Sequence, residues 1–407
     1  VDSLGNGATG EWADDEAFRE EVRTFVRHHL RPEISGGPRT GRLHEIKAQQ
    51  AWHKILAAQG WVVPSWPLEY GGTGWSLRRR QIFAEELTRA KAPPLSPFLN
   101  MIGPVLYTFG TEAQKVQHLP GLRSGEVTWC QGYSEPGAGS DLAALATRAV
   151  RDGDEYVVNG QKIWTTYAHV ADWIFCLVRT SSEGKAQAGI SFLLIDLTSP
   201  GIRIRPILSI DGRHHLNEVF FTDVHVPAAN LIGEENRGWE YAKFLLQHER
   251  GTVGDVTTLR VQLDDLRELA ASLPGEEDGT TLADDRAFLE DLAHAEIDVI
   301  AFDCLSRRHL QRHSRGEDRD EDASLLKLRH SEIEQRLSEL AIDTLGNRVA
   351  PDHVRTMAGQ PAAEPAGAPQ AITDYLFCRA ATILAGSSEI QRGIIAKAVL
   401  SRGRPTP

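Results

Sequence analysis

Apolar residues recur at helical spacing toward both ends of the chain and at strand spacing between them. Phe18, Val22, Phe25 and Val26 fall at i, i+4, i+7 and i+8, one face of an amphipathic helix. Helical patterns continue over 48–59, 78–92 and 111–119, broken by turns such as Trp66-Pro67 and Gly71-Gly72. These predict an all-helical first domain ending near Gly125. From 128 to 226 the apolar runs are short and β-branched: Tyr156-Val157-Val158, Trp173-Ile174-Phe175-Cys176-Leu177-Val178, 191–197, 202–207 and Glu218-Val219-Phe220-Phe221. Asn159-Gly160 predicts a hairpin turn between two of them, and strands at this spacing predict a small barrel or sandwich. Helical periodicity returns after Gly238, in segments starting at Trp239, Leu259 and Ala287, at Ala323, and from Ile372 to Leu400. The expected domains are 1–127 (helical), 128–233 (β) and 234–407 (a helical bundle). Two interruptions, 273–285 and 358–371, have compositions expected not to order themselves, and the charges of 314–322 are expected to be solvated. There is no internal repeat.

A chain of 407 residues exceeds one small core and fits two or three packed domains. A hydrophobic share of 41% and a charged share of 25% are those of a soluble globular protein. The net charge of −12 argues against nucleic acid or an anionic membrane as a partner. Arg78-Arg79-Arg80 reads as a solvated or ion-paired helix face. Cys130, Cys176, Cys304 and Cys378 show no C-x-x-C spacing. Neither a zinc site nor a disulfide framework is expected, and a reducing cytoplasm is the natural compartment. Residues 1–11 carry no basic-then-apolar signal pattern. The longest apolar run, near Ile190-Ser191-Phe192-Leu193-Leu194-Ile195, is too short to span a bilayer. His214 and His215, adjacent on a strand, point to opposite faces and have no acidic or cysteine cluster beside them, so no metal site is expected.

Candidate chemistry concentrates in Cys130-Gln131-Gly132-Tyr133-Ser134-Glu135-Pro136-Gly137-Ala138-Gly139-Ser140-Asp141, which follows the apolar strand Val127-Thr128-Trp129-Cys130. A second block, Asn159-Gly160-Gln161-Lys162-Ile163-Trp164-Thr165-Thr166, lies close behind. Glycines let backbone N–H groups approach an anion, and hydroxyls add donors. A tryptophan can cover one face of a ring system. The combination suits a flat aromatic cofactor with a charged tail.

Tyr133-Ser134-Glu135-Pro136-Gly137-Ala138-Gly139-Ser140-Asp141 resembles the first signature of the acyl-CoA dehydrogenase family. Phe109-Gly110-Thr111-Glu112-Ala113-Gln114-Lys115, with Leu119-Pro120 and Gly125-Glu126, resembles the segment that precedes it. Gly160-Gln161-Lys162-Ile163-Trp164-Thr165-Thr166 with Ala171-Asp172-Trp173 resembles the flavin-facing strand. Gly233-Glu234-Glu235-Asn236-Arg237-Gly238-Trp239 resembles the entry to the C-terminal helices, and Ala385-Gly386-Ser387-Ser388-Glu389-Ile390-Gln391-Arg392 the last signature. The similarity keeps the family's order over nearly the whole chain, a far more specific signal than a lone glycine motif. It implies an acyl-CoA dehydrogenase-like fold: an N-terminal α-helical domain, a middle β-barrel domain and a C-terminal four-helix bundle. It also implies FAD as cofactor, an acyl-CoA as substrate and an electron-transfer flavoprotein as acceptor. Ser134 and Ser140, with Gln131, Tyr133 and Gly139 around them, match positions contacting the flavin ring and pyrophosphate, and Ser140 also lies near the acyl chain or CoA linker. Trp164 and Thr166 match residues lining the isoalloxazine. Ser387 and Glu389 match further cofactor contacts, with a helix-cap reading open for each. For the two loops, a structural turn and a core tryptophan are the alternative.

Desaturation needs a base for the α proton, donors for the enolate-like thioester oxygen, and flavin N5 to receive hydride from Cβ. Many family members carry a glutamate directly before the glycine of the last signature, where this chain has Ala385. The family's other location for the base, directly before an arginine on the first long C-terminal helix, matches Glu249-Arg250. Glu249 shares a helical stripe with Ala242, Leu245, Leu246 and Val253, so the carboxylate is expected to face an apolar surface. Burial raises a carboxylate pKa, which suits a base for a weakly acidic proton. The resemblance thus implies Glu249 as base and Arg250, Ser140 and Ala385 as substrate contacts. The Ala385 N–H, with a flavin ribose hydroxyl, would polarise the thioester carbonyl. An ion-paired glutamate at a helix contact is the alternative for Glu249.

Two segments depart from the pattern of homotetrameric members. Residues 266–274 lack an R-x-x-F-G segment, and Asp343-Thr344-Leu345-Gly346-Asn347-Arg348 departs from Q-x-x-G-G-x-G. The pattern resembles large subunits of two-subunit, pimeloyl-CoA dehydrogenase-like enzymes. A dimer or tetramer is therefore expected, including a hetero-oligomer with a smaller related subunit. A flavin-dependent oxidase or monooxygenase on the same fold, and a non-catalytic scaffold subunit, are the competing functions.

Overall fold

The structure, a computed structural model, describes residues 6–35, 46–252, 256–317, 319–348 and 368–401, without the side chains of 6–13, 247–252, 314, 320 and 368–370. Among the described residues six helices come first: α1 (Asn6–His29), α2 (Pro32–Ser35), α3 (Ile46–Gln59), α4 (Leu77–Arg89), α5 (Leu99–Phe109) and α6 (Glu112–Ser124). Seven strands follow: β1 (Trp129–Gly132), β2 (Arg148–Asp152), β3 (Glu155–Lys162), β4 (Trp173–Arg179), β5 (Ile190–Asp196), β6 (Ile202–Leu208) and β7 (His214–Pro227). The helices then resume with α7 (Gly238–Thr252), α8 (Val256–Ser272), α9 (Arg286–Ser314), α10 (Asp320–Leu345), α11 (Ala368–Cys378) and α12 (Ser388–Ser401). No helix among the described residues is long and apolar enough to cross a membrane.

The chain divides into two compact units. The first comprises Val1–Ile55, Gly74–Leu95 and Val253–Pro407. Its core joins α8, α9 and α10 through Leu259, Leu263 and Leu266, through Phe288, Leu292, Ala295, Val299 and Phe302, and through Ile333, Leu337 and Leu340. These residues lie three to four apart on each helix, so each presents one apolar stripe. Arg19 and Arg23 bind the buried Glu86 of α4 from α1. Arg78 and Arg79 pair with Asp15 and Asp14 at 3.1 and 3.8 Å, the ion-paired reading for two members of the basic triple.

Three expectations are corrected in this unit. Residues 273–285 are ordered: Leu273 is buried, Pro274 bridges Thr281, and Thr281 and Asp284 cap the turn Leu282–Asp284. Asp322 is buried and takes Arg312 at 3.0 Å, so the 314–322 connection is not merely solvated. The segment 372–400 is two helices: the first ends at Cys378, and the chain turns through the positive-φ pair Ala385-Gly386 before the second starts at Ser388. Most of 358–371 lies outside the described residues.

The second unit comprises Leu56–Thr73 and Ser96–Thr252. Its strands form one curled sheet, ordered β1-β4-β2-β3-β7-β6, with β5 added on β4. β4 meets β1 and the end of β2 in parallel, and β5 antiparallel. Its residues from Ile174 to Val178 are buried, so it reads as a continuous apolar run rather than an alternating one. Asn159-Gly160 is not a hairpin turn. It sits inside β3 at a bulge against β7, where Gly160 has φ +152° and a Cβ would lie 2.6 Å from the Thr147 Cα. Asn159 instead caps across the sheet, accepting from the Asp223 N–H and donating to its carboxylate. The hairpin of β2 and β3 turns at Gly153-Asp154, and β2 itself carried too few apolar residues to be expected.

Helices α5, α6 and α7 complete this unit. Phe109 of α5 packs on Tyr241 and Phe244 of α7, with ring centroids 4.6 and 4.9 Å apart. His118 of α6 is buried edge-on against Trp129 and Trp173. Burial pushes its pKa down from 6.5 to about 4. The unfolded chain therefore takes up this proton near pH 6.5 and the folded one only near pH 4. Stability is complete above pH 6.5 and falls as pH drops through that window, by about 3 kcal/mol in all at about 1.4 kcal/mol per unit. Denaturation midpoints between pH 7 and 4.5 should fall less in His118→Phe than in the wild type; parallel curves would remove His118 as a cause.

Candidate functional site

The two glycine- and hydroxyl-bearing blocks are joined by a buried ion pair. Lys162, fully buried at the end of β3, places Nζ 2.7 Å from Glu135 Oε1 and donates to the Tyr133 carbonyl at 3.1 Å. The Glu135 carboxylate also accepts the N–H groups of Ala146 and Thr147 at 2.6 and 3.0 Å. Burial alone would raise this carboxyl. The Lys162 charge and these hydrogen bonds outweigh it and hold Glu135 below the usual carboxylate range. The Ile163 N–H adds a backbone bond to the Ser134 carbonyl at 2.9 Å. Neither member of the pair was singled out from sequence. Nothing local marks them, since Glu135 lies in a polar, glycine-bearing loop and Lys162 follows Asn159-Gly160-Gln161.

Around this joint lie the expected cofactor contacts of the second unit, Ser387 and Glu389 belonging to the first. Tyr133 is buried, edge-on to Phe175 and Phe192. Ser134 is half-buried, while Gly139 and Ser140 are exposed. Trp164 is 56% exposed and adopts φ +60°, and Tyr167 shares that left-handed conformation. Thr165 between them is buried and Thr166 half-buried. Left-handed non-glycine residues cost on the order of 1–3 kcal/mol each and persist where the surroundings over-determine them.

Helix α7 starts beside β5. Gly238 lies so close to Ser191 that a Cβ would meet its carbonyl carbon at 2.5 Å. Ser191 Oγ accepts the Asn236 N–H at 2.7 Å, and the Tyr241 hydroxyl accepts that of Glu234 at 3.0 Å. Ala242 and Leu245 are buried on α7 and Leu246 is half-buried. The backbone places Glu249 and Arg250 in its last turns; their side chains, and Val253 altogether, lie outside the described residues.

In the first unit, Ala385 turns the chain with φ +54° ahead of Gly386. The buried Gln391 amide donates to the carbonyls of Gly386 and Ala385 at 3.2 and 3.4 Å, and Lys327 of α10 donates to the Ala381 carbonyl at 3.0 Å. Ser387 Oγ accepts the Ile390 N–H at 3.4 Å and so caps α12. The Glu389 carboxylate is held below its usual range by its own backbone N–H and the Ser387 hydroxyl. Both therefore have the helix-cap geometry.

The donor set of the second unit fits a flavin. Gln131 Nε2 is buried with no hydrogen-bond partner among the described residues, and a Cβ at Gly137 or Gly139 would meet nothing within 4 Å. A buried donor without an acceptor, backbone open to close approach and an exposed indole are what a polar-edged aromatic ring would use. His214 stacks on His169 with ring centroids 3.9 Å apart. Among the described residues no group of three His, Cys, Asp or Glu side chains is placed to hold a metal ion.

Residues 13–126, 130–224 and 236–400 match, in turn, the acyl-CoA dehydrogenase N-terminal, middle and C-terminal domain models. Acyl-CoA dehydrogenase IpdE1 of Mycobacterium tuberculosis is 39% identical, over 96% of this chain and 98% of its own. The structure titled ChsE4-ChsE5 complex from Mycobacterium tuberculosis superposes with a TM-score of 0.80 and 32% identity, covering 97% and 98% of the two chains. The one titled Tcur3481-Tcur3483 steroid ACAD does so with 0.81 and 30%, at the same coverage. The chain belongs to the acyl-CoA dehydrogenase family of oxidoreductases, and its cofactor is FAD.

Proposed function

We propose that this chain is the FAD-bearing catalytic subunit of an enzyme that desaturates an acyl-CoA between Cα and Cβ. The observation that carries the reading is the joint between the two blocks. Glu135 and Lys162 fasten the loop of Ser134, Gly139 and Ser140 to the segment of Trp164 and Thr166. In this reading Gln131, Tyr133, Ser134, Gly139 and Ser140 hold the cofactor's polar edge and phosphates, Trp164 and Thr166 line its ring, and Ser387 and Glu389 add contacts beside their capping role. When bound, FAD accepts the hydride that leaves Cβ.

The chain's own residues supply the rest. A Glu249 carboxylate oxygen takes the α proton. The Ala385 N–H donates to the thioester oxygen as negative charge builds there, a contact worth about 3 kcal/mol in the transition state. Arg250 and Ser140 are assigned to substrate. The proposed domain boundaries are 127/128 and 233/234. Electrons leave to an electron-transfer flavoprotein.

Of the similar structures, one is a two-chain complex and another a steroid enzyme. We bring both to this chain as proposals: a smaller acyl-CoA dehydrogenase-like partner and a bulky polycyclic acyl group. Residues 266–274, without R-x-x-F-G, support the first. The chain purified alone should contain well under one FAD per protomer, and co-expression with the smaller relative should raise this to about one per catalytic chain. Absorbance at the flavin band together with solution mass reads both. One FAD per protomer in a homo-oligomer would remove the need for a partner.

A further inference from the structure

We propose that Asn217 is a positioning residue of the flavin site, acting through Thr165 to fix how Trp164 and Thr166 are presented. The inference rests on the reading that Trp164 and Thr166 line the flavin ring. Asn217 lies in β7 and is fully buried. Its backbone carbonyl accepts the Thr165 N–H at 3.0 Å, and its side-chain Nδ2 donates to the Thr165 carbonyl at 3.0 Å. One residue thus holds both polar groups of the peptide backbone at 165. The His215 carbonyl holds the Tyr167 N–H at 2.8 Å, and the Ser134 carbonyl holds that of Ile163.

These bonds bracket the two left-handed residues, Trp164 and Tyr167. Neither conformation is one that a tryptophan or tyrosine adopts unaided. Thr165 is turned inward, and its neighbours are left exposed and half-buried. If the Thr165 carbonyl were released, Trp164 could relax out of the left-handed region and swing its indole.

The Asn217 amide has no freedom to turn. Nδ2 also donates to His169 Nδ1 at 3.1 Å, and Oδ1 accepts from His214 Nε2 at 2.8 Å. Both donor hydrogens and the acceptor are engaged, and reversing the amide would set oxygen against the Thr165 carbonyl. The stacked rings of His169 and His214, 3.9 Å apart, close the far side. An aspartate of the same shape would aim a carboxylate oxygen at that carbonyl, whereas a serine is too short to span both partners.

The test uses the enzyme as assembled with FAD, comparing wild type, Trp164→Phe, Asn217→Asp and Asn217→Ser. FAD dissociation constant, visible circular dichroism of the flavin and its two-electron potential are measured, with melting temperature of the FAD-free form alongside. Asn217→Asp is expected to weaken FAD binding about tenfold or more and change the flavin dichroism as Trp164→Phe does. If oxidised and reduced FAD differ tenfold in the loss, the potential moves by about 30 mV. Asn217→Ser should do the same to a smaller degree, and decides the matter if the aspartate variant does not fold. Asn217 variants with wild-type dichroism, potential and affinity, while Trp164→Phe alters them, overturn the inference alone. A Trp164→Phe enzyme with unaltered flavin properties overturns the reading of Trp164, and the inference with it.

Discussion

Glu249→Gln in the FAD-loaded enzyme is expected to lower kcat about 10²–10⁴-fold, the span of general-base catalysis, with FAD content and melting temperature close to wild type. Glutamine has the size and shape of glutamate but cannot take the α proton. If the lost interaction acts in the transition state, kcat and kcat/KM fall together; a rise in KM alone would mean Glu249 only binds substrate. The backbone gives the residue its setting. Ala242 and Leu245 are buried on α7, and Glu249 follows Leu245 by one turn. The start of that helix is fixed by the bond from the Asn236 N–H to Ser191 and by Phe109 packing on Tyr241. Full activity of Glu249→Gln in any assembled form would exclude it as the base.

The vacancy at Ala385 supplies a second arm. In the Glu249→Gln background, Ala385→Glu restores a carboxylate at the other position where the family resemblance places a base. Alanine already bears the left-handed φ of +54° there, and glutamate adds length beyond the same Cβ rather than a new backbone strain. Part of the lost rate should return if both positions reach one α carbon. No recovery, with FAD retained, would show that Ala385 does not face the reacting carbon.

Much of the fold was legible because periodicity is a local property. Phe18, Val22 and Val26, and the β4 run from Ile174 to Val178, are buried as their spacing predicts. What was illegible depends on partners distant in the chain. Asn159-Gly160 carries the dipeptide of a hairpin turn, yet Gly160 is needed because Thr147 of the neighbouring chain segment lies against it. Asp322 reads as solvated until Arg312 is seen ten residues back, across the α9–α10 connection. For the site, the signatures single out the residues proposed to face the cofactor and not those behind them. Glu135, Lys162 and Asn217 hold those loops from behind, and nothing in a single sequence distinguishes a buried polar support from an exposed polar residue. Burial and pairing are facts of tertiary structure.

The support with the largest expected effect is the Glu135–Lys162 pair. Lys162→Met should destabilise the second unit by about 3–5 kcal/mol, the cost of leaving a buried charge without its partner. Methionine fills the stem's space, but Glu135 keeps its charge with only the Ala146 and Thr147 N–H groups to hold it, and the Tyr133 carbonyl loses its donor. Glu135→Gln should cost a comparable amount, because it strands the fully buried Lys162 ammonium. The double variant should then be less destabilised than the sum of the two, by about 1–3 kcal/mol, since neither charge remains uncompensated. The consequence for function follows from position. Tyr133 and Glu135 flank Ser134, and Lys162 lies two residues before Trp164, so a loosened pair lets the two blocks proposed to hold the flavin part. FAD should be lost from both single variants at temperatures where the polypeptide is still folded, a separation that flavin fluorescence and far-ultraviolet dichroism recorded on one melt would reveal. Because the folded Glu135 carboxyl is held below the usual range, the pair's contribution is present above the ordinary carboxylate pKa and is lost only as pH falls through that depressed value. Acid release of FAD caused by this pair therefore begins only below the ordinary carboxylate pKa, at the acid end of the window in which His118 acts. If Lys162→Met melted within 1 kcal/mol of wild type and kept its FAD, the joint between the blocks would have to be assigned to their backbone bond alone.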